Sequence, residues 1–169
     1  GCIKIPIDER KYLVSTEPNF FLVLVDESDE LHQALYFACK RAKSSGNRVA
    51  LLYVIAPAEF AHWAGVGELM RTEAREFAEE KMRTHAEYVA NLTGQPPLFF
   101  IREGTKADEI IALIDEEQNV SQLVLGADTK SETAGPVISF LTGRGIARCR
   151  VPVVMVPGHL TDEQIDKLI

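Results

Sequence analysis

Short apolar runs alternate with helical patterns along this chain, and this alternation constrains the fold more than any other feature. Each run is apolar at successive positions rather than at every second one, as expected of strands buried on both faces of a parallel sheet. The five runs span residues 20–25, 49–55, 97–101, 122–126 and 151–156. They predict a doubly wound α/β domain, in which a five-stranded parallel sheet carries helices on both faces.

Amphipathic helices are predicted between the strands. Apolar side chains recur at helical spacing in residues 31–42, 70–92, 110–114 and 137–141. The residues expected to begin or end helices are Ser28, Gly46, Gly94, Thr105 with Asp108, Pro136 and Thr161. We expect an extended arm over residues 1–18, the α/β domain over residues 19–158 and a short terminal helix over residues 159–169.

Two strand orders fit this pattern, because right-handed crossovers fix the topology only up to strand order. With order 3-2-1-4-5, the ligand crevice lies between strands one and four, and Asp26 faces Gly126 at their carboxyl ends. With order 2-1-3-4-5, Asp26 faces Arg102 or Glu103 instead. The residues alone do not choose between the two orders.

Composition argues against several partners. The formal net charge is −7 without a long run of Lys or Arg, so nucleic acid and anionic membranes are not expected partners. Three cysteines with no disulfide or metal spacing point to a reduced cytoplasmic location. The four histidines are scattered singly, which argues against a zinc site.

Two segments could bind a ligand at the crevice. Asp26-Glu27-Ser28 ends the first strand, where a carboxylate could accept hydrogen bonds from adenine or ribose, or help to hold Mg²⁺. The loop of residues 126–136 is rich in Gly, Ser and Thr, and its free backbone N–H groups could cradle a phosphate. Helix capping and an ordinary solvated loop are the competing interpretations.

Other polar clusters have equally simple explanations. Arg144, Arg148 and Arg150 could contact phosphate oxygens, although positive charge at a helix end is the favoured interpretation. His62-Trp63 could flank a ligand or a partner, although covering the sheet edge is favoured. The chain has no GxxxxGK[ST] or strand-linked GxGxxG motif and no catalytic triad or paired carboxylates at the predicted strand ends, so no catalytic machinery is predicted.

The strand-end motifs resemble those of the universal stress protein family. They are Val-Asp-Glu-Ser after strand one, Leu-Leu-Tyr-Val-Ile-Ala-Pro in strand two, Arg-Glu-Gly before the third helix, Leu-Val-Leu-Gly-Ala in strand four and Val-Pro-Val-Val-Met-Val-Pro in strand five. This resemblance covers residues 20–157. It implies strand order 3-2-1-4-5, a cytoplasmic homodimer paired through strand five, and in many members ATP or AMP between strands one and four.

The family's nucleotide-binding motif, Gly-x2-Gly-x9-Gly-[Ser/Thr], is altered here. Gly126 keeps the first position, whereas Thr129, Ser139 and Phe140 stand at the other three. Cβ atoms and a bulky ring at these positions oppose the usual ATP pose. Asp26 and Val54 match adenosine-side positions, and Thr142 matches a further hydroxyl position, so the base pocket is expected to survive better than the phosphate pocket.

The predicted function is a stress-response binding or signalling module with weak or altered ATP or AMP binding, and with Mg²⁺ only alongside a nucleotide. A smaller anion is a further candidate ligand. The alternatives are a nucleotide-hydrolysing or nucleotidyl-transferring enzyme and a dimeric interaction protein that binds no nucleotide. The candidate nucleotide-binding residues are Val25, Asp26, Ser28, Val54, Leu125, Gly126, Thr129, Ser131, Gly135, Ser139 and Thr142.

Overall fold

A single parallel sheet organises the protein, and the computed structural model describes residues 18–57 and 67–169 of it. The strands are β1 (Phe20–Leu24), β2 (Arg48–Ile55), β3 (Leu98–Glu103), β4 (Val120–Ala127) and β5 (Val153–Pro157). They pair in parallel in the order β3-β2-β1-β4-β5. The predicted fold class is confirmed, and the first of the two strand orders is the correct one.

Helices cover both faces of this sheet. They are α1 (Leu31–Ser45), α2 (Gly67–Thr93), α3 (Lys106–Glu116), α4 (Pro136–Thr142) and α5 (Asp162–Asp166), with a 3-10 turn at Arg144–Arg148. Within the described ranges, none of the helices is both long and apolar enough to cross a bilayer. The predictions for the N-terminal arm through residue 17 and for His62-Trp63 lie outside the described residues.

Strand alternation divides the interior into two cores. Side chains at successive positions point to opposite faces, so Val23 and Val25 pack against α1 and α2, whereas Leu22 and Leu24 pack against α3 and α4. All four side chains are buried. The apolar run of β1 therefore arises because both faces of this central strand are covered, as the sequence indicated.

The start of α1 differs from the prediction. Ser28 is not the N-cap, because the Oδ1 atom of Asp26 accepts both the backbone N–H and the hydroxyl of Ser28. The chain makes a further turn, and α1 begins at Leu31 with Glu30 at the N-cap position. The end is as predicted, since Gly46 adopts a φ of 72° and donates its N–H to the Ala42 carbonyl.

Smaller differences concern two other ends. Thr105 occupies the N-cap position of α3, but its hydroxyl donates to Asp108 Oδ2 over 2.8 Å instead of accepting a backbone N–H. β5 begins at Val153 rather than Val151. The intervening Pro152 has no N–H for a sheet ladder, although its carbonyl still accepts the Leu123 N–H over 2.9 Å.

The terminal helix α5 packs against α1. Thr161 and Gln164 form a capping box at its start, as Thr161 was expected to do. Asp162 Oδ1 lies 2.8 Å from His32 Nε2, and Tyr36 donates to Asp166 Oδ1 over 2.8 Å. Ile165 is fully buried and joins the core formed by α1 and α2. The end of the chain is thus part of the packed structure.

Ile165→Ala should lower the free energy of unfolding by about 2–5 kcal/mol, because it opens a cavity in a fully buried position. Urea denaturation followed by circular dichroism measures this change. Leu168→Ala is the matched control: Leu168 lies on the same terminal segment but is 63% exposed, and its change should stay within about 0.5 kcal/mol. Equal losses in the two variants would contradict the packing of α5.

Candidate functional site

The candidate site lies where β1 and β4 end side by side. Val23 pairs with Val124 and no other strand intervenes, so the carboxyl ends of the two strands open at one edge. The loop after β1 then crosses directly over the end of β4. A Cβ atom on Gly126 would lie 2.4 Å from the Glu30 carbonyl oxygen. Only glycine fits at position 126 without moving this loop.

A pocket of about 210 Å³ opens beside this contact. Its walls come from the end of β1, the following loop, the end of β4 and the first turns of α3 and α4. Five of the predicted nucleotide-binding residues line it together: Asp26, Ser28, Leu125, Gly126 and Gly135. The structure thus gathers residues from two distant parts of the sequence into one concave, partly polar surface.

The polar groups of this pocket carry both signs of charge. Asp26 uses Oδ1 for Ser28, and within the described residues Oδ2 has no hydrogen-bond partner. Glu30 adds a second carboxylate, and Lys106 at the first position of α3 supplies a positive charge. Such a set can accept hydrogen bonds from an amino or hydroxyl group and pair with one anionic group.

The Asp128 carboxylate holds the loop after β4 through hydrogen bonds to the loop backbone. Asp128 Oδ1 accepts the backbone N–H of Lys130 over 2.8 Å and that of Ser131 over 3.3 Å. The expectation that these N–H groups are free for a phosphate is therefore wrong. Thr129 and Ser131 line a separate cavity of about 230 Å³. The carboxylates of Asp29, Glu30 and Asp128 outnumber the ammonium group of Lys130 there, so the lining disfavours an anion.

Other candidate residues lie outside the β1–β4 pocket. Ser139 and Thr142 are exposed on α4, and the Thr142 hydroxyl donates to the Ile138 carbonyl over 2.7 Å. Val54 is buried in the core beneath α3, and Val25 faces the opposite side of the sheet. None of these four side chains is among the described residues that line the pocket.

Phe140, at the family's hydroxyl position, also turns away from the pocket. Its ring packs over Gly145, where an added Cβ would lie 2.3 Å from Cε1, and the Arg148 guanidinium lies 5.8 Å from the ring centroid. The basic cluster has structural partners as well. Arg150 donates to the Ile114 carbonyl over 2.7 Å near the end of α3, and Arg148 lies 3.9 Å from Asp108.

Sequence reasoning missed two charged residues of the pocket, Glu30 and Lys106. A signal for Lys106 was present, because every helix that follows a parallel strand starts at the carboxyl edge of the sheet. Lys106 follows β3 and opens α3 there. Within residues 18–57 and 67–169, no group of three or more His, Cys, Asp or Glu side chains could hold a metal ion.

Comparison with known proteins settles the family. A model of the universal stress protein family matches residues 21–157. The chain belongs to the universal stress protein family. This confirms the resemblance seen in the strand-end motifs. Among curated proteins, none matches the chain.

Solved universal stress proteins share the fold of this family member. UspA from Lactobacillus plantarum is 22% identical with a TM-score of 0.63, over 83% of this chain and 98% of that chain. A protein from Archaeoglobus fulgidus is 20% identical with a TM-score of 0.52, over 83% and 94%. One described in complex with cAMP is 16% identical with a TM-score of 0.50, over 85% and 99%.

In this universal stress protein, Gly145→Ala should destabilise the fold by about 1–3 kcal/mol, because the new Cβ overlaps the Phe140 ring. In a Phe140→Ser background the same change should not lower the free energy of unfolding, because the ring is absent and alanine favours helical backbone. Chemical denaturation of the four proteins of this double-mutant cycle measures the coupling. Equal costs of Gly145→Ala in both backgrounds would contradict the packing of Phe140 over Gly145.

Proposed function

We propose that this universal stress protein is a stress-response binding or signalling module that binds an adenine nucleotide weakly between β1 and β4. The observation that carries the proposal is the β1–β4 pocket, where the Asp26 carboxylate and the Lys106 ammonium line the same concave surface. Membership of the family supports it. A structural relative described as a complex with cAMP is consistent with a nucleotide ligand.

The base and ribose are assigned to the β1 side of the pocket. Asp26 Oδ2 can accept a hydrogen bond from the adenine amino group or a ribose hydroxyl. Leu24 and Leu125 offer apolar surface for the base. Because Asp26 is only partly exposed, a hydrogen bond to its carboxylate gains strength from a less polar surrounding.

The phosphate assignment favours a monophosphate over a triphosphate. A pocket of about 210 Å³ is below the roughly 300–1,000 Å³ of common ligand sites. Lys106 can pair with one phosphate group. In the loop after β4, Asp128 and Glu132 outnumber Lys130, and this excess of negative charge repels a longer anionic chain. Asp128 also occupies the N–H groups of Lys130 and Ser131. AMP therefore suits this pocket better than ATP.

Calorimetric titration with adenosine, AMP and ATP, with and without Mg²⁺, tests this assignment. AMP should bind more tightly than ATP. Asp26→Asn should lower the affinity for both adenosine and AMP by about tenfold or more, because it removes a charged hydrogen-bond acceptor. Lys106→Gln should lower the affinity for AMP about two- to fivefold and leave the affinity for adenosine unchanged. The exposed ammonium group of Lys106 is assigned to the phosphate alone.

Two exposed positions supply matched controls. Asp115→Asn removes a carboxylate from α3, and Lys167→Gln removes an ammonium from the terminal segment; both residues lie away from the pocket. Neither change should alter the affinity for AMP. Absence of binding heat with all three ligands would refute the nucleotide assignment, whereas tighter binding of ATP than of AMP would refute the preference for a monophosphate.

We also propose that two copies pair through β5. Among the strands that the structure describes, β5 lies at the edge of the sheet and pairs only with β4. Such an edge offers unpaired backbone groups to a second strand. Met155 is the central residue of Val153–Pro157. In a two-fold antiparallel pairing centred on β5, it would lie opposite its own copy.

Met155→Glu should convert a dimer into a monomer, because two like charges would face each other across the paired strands. Sedimentation velocity measures the change in mass. Leu168→Glu adds the same charge at an exposed terminal position and should leave the dimer intact. A monomeric unsubstituted protein, or a Met155→Glu variant that stays dimeric, would refute pairing through β5.

A further inference from the structure

A second, larger cavity lies at the same edge of the sheet but on its opposite face. It is open to solvent and has a volume of about 610 Å³ between α1, α2 and the carboxyl ends of β1 and β2. Strand alternation separates it from the β1–β4 pocket, because Val25 and Tyr53 face this cavity whereas Leu24 and Val54 belong to the core on the other side. Its volume falls within the roughly 300–1,000 Å³ of ligand-binding cavities.

The floor of this α1–α2 cavity is apolar and aromatic. Val25, Leu31, Leu35 and Tyr53 are each at most 7% exposed, and Tyr88 packs beside them. Burial is the largest of the effects that raise the pKa of Tyr88 to about 12, so its phenol stays neutral. Aromatic faces of this kind attract the body of an apolar ligand and, through their electron-rich faces, a cation.

One face of α2 forms the opposite wall. Lys81, Thr84, His85 and Tyr88 follow one another at helical spacing and all line the cavity. Burial lowers the pKa of His85, so its imidazole is neutral near pH 7. Lys81 forms an ion pair with Glu27. The wall therefore presents neutral polar groups, and its one ammonium group is already paired with a carboxylate.

The rim of the cavity is acidic. Asp26, Glu27 and Asp29 lie along it, and Lys81 offsets Glu27. Within the described part of the chain, Asp26 and Asp29 have no ion-pair partner. Three carboxylates against the one ammonium of Lys81 leave the described rim with an excess of negative charge, which repels a phosphate and attracts an ammonium group. The charge and the lining of this cavity are thus complementary to a positively charged ligand with an apolar body.

We propose that the α1–α2 cavity is a binding site for small organic ammonium ions that carry an aromatic or apolar body. The body lies against Leu35, Tyr53 and Tyr88, and the ammonium group lies at the rim near Asp29. This ligand class differs from the nucleotide assigned to the β1–β4 pocket. The proposal does not depend on nucleotide binding.

Three ligands with the same aromatic body and different charges test the proposal: 2-phenylethylammonium, 2-phenylethanol and 3-phenylpropionate. Titrations followed by amide chemical shifts in NMR measure affinity and location together. The ammonium should give saturable shifts in residues 25–35 and 81–88 and bind about fivefold or more tightly than the alcohol. The carboxylate should not bind. Equal affinities, preference for the carboxylate, or no saturable shifts would overturn the proposal.

Variants locate the site. Thr84→Trp places an indole into the cavity from an exposed helix position and should abolish ammonium binding without unfolding the protein. Asp29→Asn should lower the affinity for the ammonium ligand about two- to fivefold, as expected for an exposed charge pair. The affinity for the alcohol should not change. Glu87→Gln removes a charge from α2 outside the cavity and should have no effect. Undiminished binding to a folded Thr84→Trp variant would also overturn the proposal.

Discussion

The close approach of the Glu30 backbone to the end of β4 fixes the geometry of the functional edge. A Cβ atom at Gly126 would meet the Glu30 carbonyl at 2.4 Å, and one at Gly158 would meet the Glu30 Cβ at 2.9 Å. The loop after β1 therefore rests on two glycines that follow or end neighbouring strands. The same loop carries Asp26 into the pocket that Lys106 also lines. Larger residues at the two glycine positions would lift the loop and displace both cavity walls that it forms.

The same sheet separates two kinds of chemistry. Because successive residues of β1 and β2 face opposite sides, one edge opens into a small pocket of mixed charge under α3 and α4 and into a larger aromatic cavity under α1 and α2. Volume and charge distinguish the two cavities. The β1–β4 pocket has about 210 Å³ and is lined by Lys106, whereas the α1–α2 cavity has about 610 Å³ and an acidic rim. The carboxyl edge of this sheet thus has one cavity on each face, and the helices packed on each face supply part of its lining.

Much of the fold was predictable from the sequence, because short continuous apolar runs that alternate with amphipathic helical patterns are typical of strands covered on both faces. The strand order was not predictable from residue patterns, because two orders fit them. The family resemblance gave the order 3-2-1-4-5. The site was predictable where backbone topology decides it, as for Asp26 opposite Gly126. The prediction of the site was wrong where side chains compete for the same groups. Asp128 accepts hydrogen bonds from loop N–H groups that a phosphate would use, and Asp26 accepts those of the Ser28 N–H and hydroxyl, so that Ser28 does not cap α1. The Phe140 ring packs over Gly145 and not at the pocket. Such choices depend on distances of a few tenths of an ångström, which residue types do not specify.

The loop between β1 and α1 belongs to both cavities, since Asp26 and Ser28 line each of them, as does Leu31 at the start of α1. A ligand that contacts Asp26 from one face would fix the position of the carboxylate that the other face also uses. If the two ligands prefer different positions of this loop, each weakens the other by the same factor, because coupling between two binding equilibria is reciprocal. If they prefer the same position, the first ligand bears the cost of ordering the loop and the second binds more tightly. The two cavities are thus joined through a short loop that rests on Gly126 and Gly158.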